Sequence, residues 1–417
     1  MNIVHLTTHD KGGAGVAAYR VHESMLENNF NSEYISLYKL TSKVDVRAVK
    51  RNSKVSNFAF KVRYKVNSYF LKKVDKNYYY FDKGVYVINH YRELLSLFDS
   101  KPDVIIFYWI SMFINPKVIR ELSDNTNIQL YWYFTDMAPM TGGCHFSWGC
   151  KEYKHECGKC PALYSNNKSD LSNRTMKQKI KYLAGSDISL ISPNSYLSKQ
   201  IDISSVFKNH VKHQIPFGVN KEFFSIQDKT KVRDIYNIPN SSKVIFFGAT
   251  DTNEKRKGAQ YLVEALNLLY SKNSEDSIIV CVAGKANSVV NQIKFDVRVF
   301  GYVDYSTLRD LYCCADVVVS PSIEDSGPLM ICEVMMTATP VVAFDIGLAQ
   351  DLIDDRTGYK AKNRDFIDLS YGISKVLSKS REDYKNMSKE CRSKAMSVCN
   401  QGDAIKMLIS LIQRKDN

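Results

Sequence analysis

Residues 321–353 read PSIEDSGPLMICEVMMTATPVVAFDIGLAQDLI, and this stretch decides the fold. It follows an apolar run, Asp316 to Ser320, that suits a buried strand. A short acidic loop comes next, then a helix expected from about Pro328, then a second apolar run from Pro340 to Phe344. Alternating apolar strands and helices predict a doubly wound α/β sheet. Gly327 permits a tight turn, and Pro328 suits the first position of a helix. The amides of a helix start lack partners within the helix and attract phosphate. Asp325 and Glu333 stand eight residues apart across the loop and the first helical turns. An acid on a helix beside such amides is well placed to hold sugar hydroxyls. The stretch therefore reads as a nucleotide-sugar site.

The pattern resembles the acid, seven residues, acid signature of family 4 of the retaining GT-B glycosyltransferases. The flanks resemble it too: SPS before, ATPVVAFDIGLAQDLI after. In that family the first acid is usually Glu, and Asp325 is one carbon shorter. The usual small-Gly-Thr-Pro turn is Ala338-Thr339-Pro340 here. The resemblance implies an α/β chain of the GT-B class, two facing Rossmann-like doubly wound domains with a cleft between them. Residues 1–215 would form the acceptor-side domain and 216–399 the donor-nucleotide domain. A terminal helix, about 400–417, would pack back on the first.

Bulk properties set the frame. A chain of 417 residues suggests two or three domains with substantial cores. Net charge is +13, which favours anionic partners such as nucleotides, acidic lipid surfaces or nucleic acid. The opening MNIVHLTTHDKGG has no secretory h-region, and the run Val104 to Ile114 is too short to span a bilayer. The expectation is a cytoplasmic protein, peripheral at the inner face of the cytoplasmic membrane. Its ten cysteines are then expected as thiols or metal ligands.

In the first half, Asn2 to Leu6 reads as a buried strand. Gly12, Gly13 and Gly15 follow, then an amphipathic helix from Ala14 to about Leu26. Strand, Gly-rich loop, helix opens a nucleotide-binding sheet, though a tight βα turn reads the same way. The family resemblance adds backbone contacts from Gly12, Gly13 and Ala14 to the donor diphosphate. Between Lys39 and Lys76 twelve Lys or Arg face two acids, with aromatics interleaved. Such a segment suits an anionic membrane surface, and equally a solvated helical face. No nucleic-acid motif accompanies it, so no nucleic-acid partner is expected.

Strands are expected at Asp103 to Trp109 and Ile128 to Phe134, each ending in residues suited to a ligand. Tyr108 ends the first; Thr135 and Asp136 follow the second and open TDMAPMTGGCHFSWGC. This segment resembles that of family 4 polysaccharide transferases, where His replaces both Thr135 and Tyr108. Tyr108, Asp136 and His145 are thereby acceptor-side candidates, Asp136 also a catalytic one. Cys144, Cys150, Cys157 and Cys160 form C-x5-C-x6-C-x2-C. Four thiols in seventeen residues suit a structural tetrathiolate zinc site, with packed reduced thiols or disulfides as alternatives.

PFGVNKEFF, from Pro216, resembles the family's interdomain turn, and the polar stretch Ser225 to Ser242 separates the halves. A strand at Lys243 to Phe247 leads to Arg256, Lys257 and Gly258 at a helix start, a combination that favours a diphosphate. In the family this Lys-Gly pair neutralises the leaving diphosphate. Ala249 stands where many members carry an Arg. Further strands are expected at Ser277 to Ala283 and Val297 to Val303, where the family's Gly-Tyr-Val backbone puts Tyr302 beside the nucleobase.

The resemblance implies a retaining glycosyltransferase of bacterial polysaccharide, O-antigen or capsule assembly. It would use a UDP- or GDP-type sugar donor and a lipid-linked glycan acceptor. The donor would rest on Arg256, Lys257, Gly258, Tyr302, Ser326, Gly327, Pro328, Leu329 and Glu333. Asp325, Glu333 and Lys257 would be catalytic. No catalytic metal is expected, because no DxD-type acidic pair is evident. The competing reading is a catalytically silent sugar-nucleotide-binding scaffold.

Overall fold

The computed structural model describes residues 1–49, 60–62, 64–68, 74–272, 277–285 and 288–414. The chain forms two compact units: Met1–Pro216 with Ala404–Asn417, and Phe217–Asp403.

The first unit is built on seven parallel strands: β1 (Asn2–His9), β2 (Asn31–Tyr38), β3 (Val46–Ala48), β4 (Val104–Phe107), β5 (Gln129–Tyr133), β6 (Ile188–Ser192) and β7 (Lys212–Gln214). Their order is β3-β2-β1-β4-β5-β6-β7. The second unit has six: β8 (Lys243–Asp251), β9 (Ile278–Lys285), β10 (Asp296–Gly301), β11 (Val317–Ser320), β12 (Val341–Phe344) and β13 (Gly358–Ala361). These are also parallel, in the order β10-β9-β8-β11-β12-β13.

Central strands of a parallel sheet are covered on both faces, so they are apolar throughout. β4 reads VIIF and β11 reads VVVS, and every residue of both is buried. In each unit the winding reverses once, between β1 and β4 and between β8 and β11. At such a point the loops after the two strands leave in opposite directions and open a crevice where ligands bind. Both candidate sites described below lie at these positions.

The polar stretch Ser225 to Ser242 is more than a separator. Asp228 caps a helix, Lys229–Ile235, by accepting from the amides of Thr230 and Lys231. Arg233 of that helix is buried and pairs with Asp316 at 2.8 Å while donating to the carbonyls of Cys314 and Ser242. One internal carboxylate thus anchors a segment that reads as linker by composition. The chain passes between units twice: Val219 bridges to Asn400, and a Cβ on Gly218 would meet Gln401 Cα at 2.4 Å.

Much of the basic stretch 39–76 lies outside the described residues. Two of its cations are engaged: Arg47 pairs with Glu33 and Asp99, and Lys43 sits 2.8 Å from the Tyr19 ring centroid. Among the described residues no helix is long and apolar enough to cross a membrane.

Candidate active site

The turn after β8 and the loop after β11 interlock at the switch point of the second sheet. Lys255–Lys257 form one 3-10 turn, closed by Gly258 in the left-handed region at φ +70°. A Cβ on Gly258 would fall 1.8 Å from the Pro321 carbonyl oxygen, so only glycine permits this approach. The Ile323 amide donates to the Arg256 carbonyl at 2.8 Å and ties the two loops together.

Side chains complete the link. Asp325 Oδ2 accepts from Lys257 Nζ at 2.7 Å and from Arg256 Nη1 at 3.0 Å, while Oδ1 accepts from the Gly327 amide at 3.2 Å. Burial alone would raise this carboxyl; the charges of Lys257 and Arg256 outweigh it and hold the group at about 2. Arg256 also pairs with Glu254 at 2.8 Å. The neighbouring acid behaves differently, for Glu324 meets Arg364 at 3.7 Å. Asp325 is therefore the acid that faces both cations.

Pro328 is the cap of the next helix, not its first residue as the sequence led us to expect. Its ψ of 107° is extended, and the helix proper is Leu329–Met336. Proline's fixed φ serves the cap equally well, and Pro328 brings no side-chain cap bond. Glu333 lies on this helix and is buried, at 6% exposure; Ser326 is buried in the loop before it. Gly347, at φ +55°, approaches Gly327 so closely that a Cβ would be 3.1 Å from its Cα. Tyr302, just past β10, is 71% exposed. The structure thus joins Arg256, Lys257, Gly258, Asp325 and Gly327 directly.

In the first unit the opening helix starts at Gly12, two residues earlier than the sequence pattern indicates, and runs to Glu27 without a side-chain cap. Gly12 and Gly13 are exposed, with open space where a Cβ would be. Gly15 is the sterically required one: a Cβ there would lie 2.6 Å from the His9 carbonyl oxygen and from Asp10 C.

Asp136 and His145 do come together. Asp136 Oδ2 lies 3.2 Å from His145 Nδ1, and Oδ1 accepts from the Ala138 amide at 2.7 Å. Burial opposes ionisation of Asp136, and His145 with the hydrogen bonds reverses this, leaving its carboxyl below the ordinary range. The acceptor-side reading of Tyr108 is corrected. Its side chain is 1% exposed, meets His5 Nδ1 at 3.0 Å and stacks on Tyr133. Side chains alternate along the extended backbone, so the next residue, Trp109, is the one that emerges.

Cys144, Cys150, Cys157 and Cys160 line one cavity of about 20 Å³, with Tyr80, Gly142, Gly143 and Ser172. All ten cysteines are free thiols. Yet among the described residues no three His, Cys, Asp or Glu groups are arranged as a formed metal shell. The donor chemistry suits a soft ion, while the side chains are not drawn in around one.

Fold and site together define an α/β chain carrying a phosphate-suited pair of loops. Residues 241–379, within the second unit, match the family described as glycosyl transferases group 1. An uncharacterised glycosyltransferase of Methanocaldococcus jannaschii is 26% identical over 239 residues, 54% of this chain and 58% of that one. WcaC of Escherichia coli K12, whose name places it as a glycosyl transferase in colanic acid biosynthesis, is 23% identical over 270 residues, 63% of each chain. The chain thus covers less than two thirds of the length of these relatives. Solved structures match over nearly the full length. Sucrose-phosphate synthase of Thermosynechococcus elongatus superposes with a TM-score of 0.68 at 16% identity, covering 99% of both chains. Anabaena HepE in complex with UDP gives 0.67 at 13%, covering 99% of this chain and 100% of that one. The fold is that of the GT-B glycosyltransferases.

Proposed function

We propose that this chain is a retaining glycosyltransferase. It moves a sugar from a nucleoside diphosphate donor to a lipid-linked glycan in bacterial surface-polysaccharide assembly. The observation that carries this reading is the Lys257–Asp325–Arg256 cluster at the sheet's switch point, inside the family-matched residues. HepE has been solved with UDP-glucose as well as UDP, and WcaC is named for a polysaccharide pathway; both favour this donor and acceptor class.

In the proposed reaction the bond from the anomeric carbon to the diphosphate oxygen breaks. The acceptor hydroxyl oxygen bonds that carbon, and its proton passes to the departing phosphate oxygen. Negative charge grows on the diphosphate as the bond stretches. Lys257 and Arg256, already fixed beside Asp325, stabilise that charge without reorganising, the usual largest contribution to such catalysis. Asp325 orients the two cations and holds the transferred sugar. Glu333 binds donor hydroxyls, the ribose among them. Tyr302 offers its exposed ring to the base. Gly12, Gly13 and Ala14 contribute backbone contacts to the diphosphate, and Asp136 with His145 serves the acceptor side.

Structural zinc belongs to the same proposal. Four thiolates around one cavity would hold Zn²⁺ and tie down the segment 144–160. No step of the reaction runs through it. The basic stretch 39–76 would bring the chain to the inner face of the cytoplasmic membrane.

The test is a melting screen against UDP, GDP and their sugar conjugates, since a ligand that binds the folded state raises the melting temperature. One base should produce a shift that is lost in Lys257→Ala. Glu333→Gln should remove sugar transfer while the chain stays folded by circular dichroism. Unchanged turnover in that variant would overturn the site, and nucleotide binding without any transfer or donor hydrolysis would favour a silent scaffold.

A further inference from the structure

The switch point of the first sheet holds a second cluster, assembled from four separate segments. His9 ends β1, Trp109 follows β4, His145 comes from the loop after β5 that carries Gly142 and Gly143, and Phe81 from the segment before Gly84. Their rings touch in a chain. His9 and Trp109 are 4.9 Å apart between centroids, Trp109 and His145 5.5 Å, Phe81 and His145 5.2 Å, Phe81 and Trp109 5.9 Å. Tyr38 extends the row by stacking on His9 at 5.2 Å. Phe81 and Tyr38 are 38% and 40% exposed, so the cluster reaches the surface of the unit.

Its polar atoms are unusual. His9 Nδ1, Trp109 Nε1 and His145 Nε2 are all buried without a hydrogen-bond partner. Buried polar groups are normally paired, because an unpaired one costs about 1–3 kcal/mol. These three converge on one ring cluster at the sheet's switch point, where a hydroxyl-bearing ligand is able to partner all of them. Each residue is held from behind. The Thr8 amide donates to the Trp109 carbonyl at 2.6 Å, the His145 amide donates to the Tyr78 carbonyl at 3.0 Å, and Asp136 meets His145 Nδ1. Asp10 accepts from the Leu40 and Thr41 amides and fixes the turn after Tyr38.

We propose that His9, Trp109 and His145, covered by Phe81, form a subsite for a neutral pyranose of the acceptor. A sugar has apolar C–H faces that stack on aromatic rings, and a rim of hydroxyls that both donate and accept. Trp109 Nε1 donates only, His145 with its Nδ1–H on the Asp136 carboxylate presents Nε2 as an acceptor in the neutral ring, and His9 Nδ1 takes either role with its tautomer. Phe81, at 38% exposure, is the ring that a bound sugar displaces to reach the other three. No Lys or Arg belongs to the cluster, and the Asp136 carboxylate beneath His145 disfavours an anionic sugar. The acceptor assignment rests on the glycosyltransferase reading above; the sugar-binding site itself does not.

The experiment is saturation-transfer NMR on the full chain with methyl glycosides of neutral hexoses and N-acetylhexosamines, with melting shifts by UDP and GDP run in parallel. At least one glycoside should bind the wild type, and Trp109→Ala and His9→Ala should each weaken it roughly ten-fold or more, the loss of one stacking or hydrogen-bonding group. Trp109→Phe keeps the ring but not the N–H and should fall between, which separates binding from folding defects. Glycoside binding without any nucleotide shift would leave the subsite standing and count against the transferase reading. No glycoside binding at up to tens of millimolar, or binding unchanged in both alanine variants, would overturn the subsite.

Discussion

Lys257 Nζ lies 2.7 Å from Asp325 Oδ2, across 68 residues of chain. The carboxyl is held at about 2 against an ordinary 3.8. A folded-state value below the unfolded one means the ionised form stabilises the fold. That contribution is complete above about pH 4 and drains away as pH falls from there to about 2, with a size on the order of 2 kcal/mol. Unfolding free energy measured across this window should drop more steeply for the wild type than for Asp325→Asn. Parallel curves would mean the ion pairs contribute nothing.

Gly258→Ala should be among the most damaging small substitutions in the second unit. The added methyl would sit 1.8 Å from the Pro321 carbonyl, at a φ of +70°. Left-handed strain alone costs about 1–3 kcal/mol, and the clash adds to it. Urea unfolding should show the loss, and nucleotide-induced melting shifts should vanish with it. A variant with wild-type stability would show that the two loops separate freely.

Lys179 is a buried cation that joins three segments. It meets Asp82 at 3.2 Å and donates to the carbonyls of Ala138 and Thr141 at 2.8 and 2.9 Å. Lys179→Met leaves buried Asp82 without its cation, its remaining partners being the Gly84 amide and the Tyr86 hydroxyl, and should cost about 3 kcal/mol. Adding Asp82→Asn should recover part of that loss. Full additivity of the two changes in a double-mutant cycle would deny the pairing.

The cysteine cavity is tested by metal content. Protein purified under reducing conditions should carry about one zinc ion per chain, and Cys157→Ser with Cys160→Ser should release it and lower the melting temperature. Metal-free protein that melts at the same temperature as the zinc-loaded form would end the proposal.

Parts of this molecule are legible from the chain alone. β4 and β11 stand out because parallel strands are covered on both faces, and VIIF and VVVS have no other economical use. Lys257 and Asp325 are each marked by a local pattern, but their contact across 68 residues is written in neither pattern. The helix Lys229–Ile235 was hidden because its anchor, Arg233, is charged, and its burial is made tolerable by Asp316 together with the carbonyls of Cys314, Asn240 and Ser242. Tyr108 was misread because nothing in the sequence states which face a residue takes where a strand ends. The ring cluster of His9, Phe81, Trp109 and His145 has no sequence signal of its own. Its members are separated by tens of residues, and only β1 pairing with β4 makes neighbours of two of them.

The interlock of Gly258 with Pro321, and of Ile323 with Arg256, has a bearing on recombination. Any chimera between related chains that transplants 321–333 alone would import an acid without the turn shaped to receive it. The smallest transferable cassette is two loops, 254–258 and 321–333, and a crossover point placed anywhere between them splits a single interlocked unit.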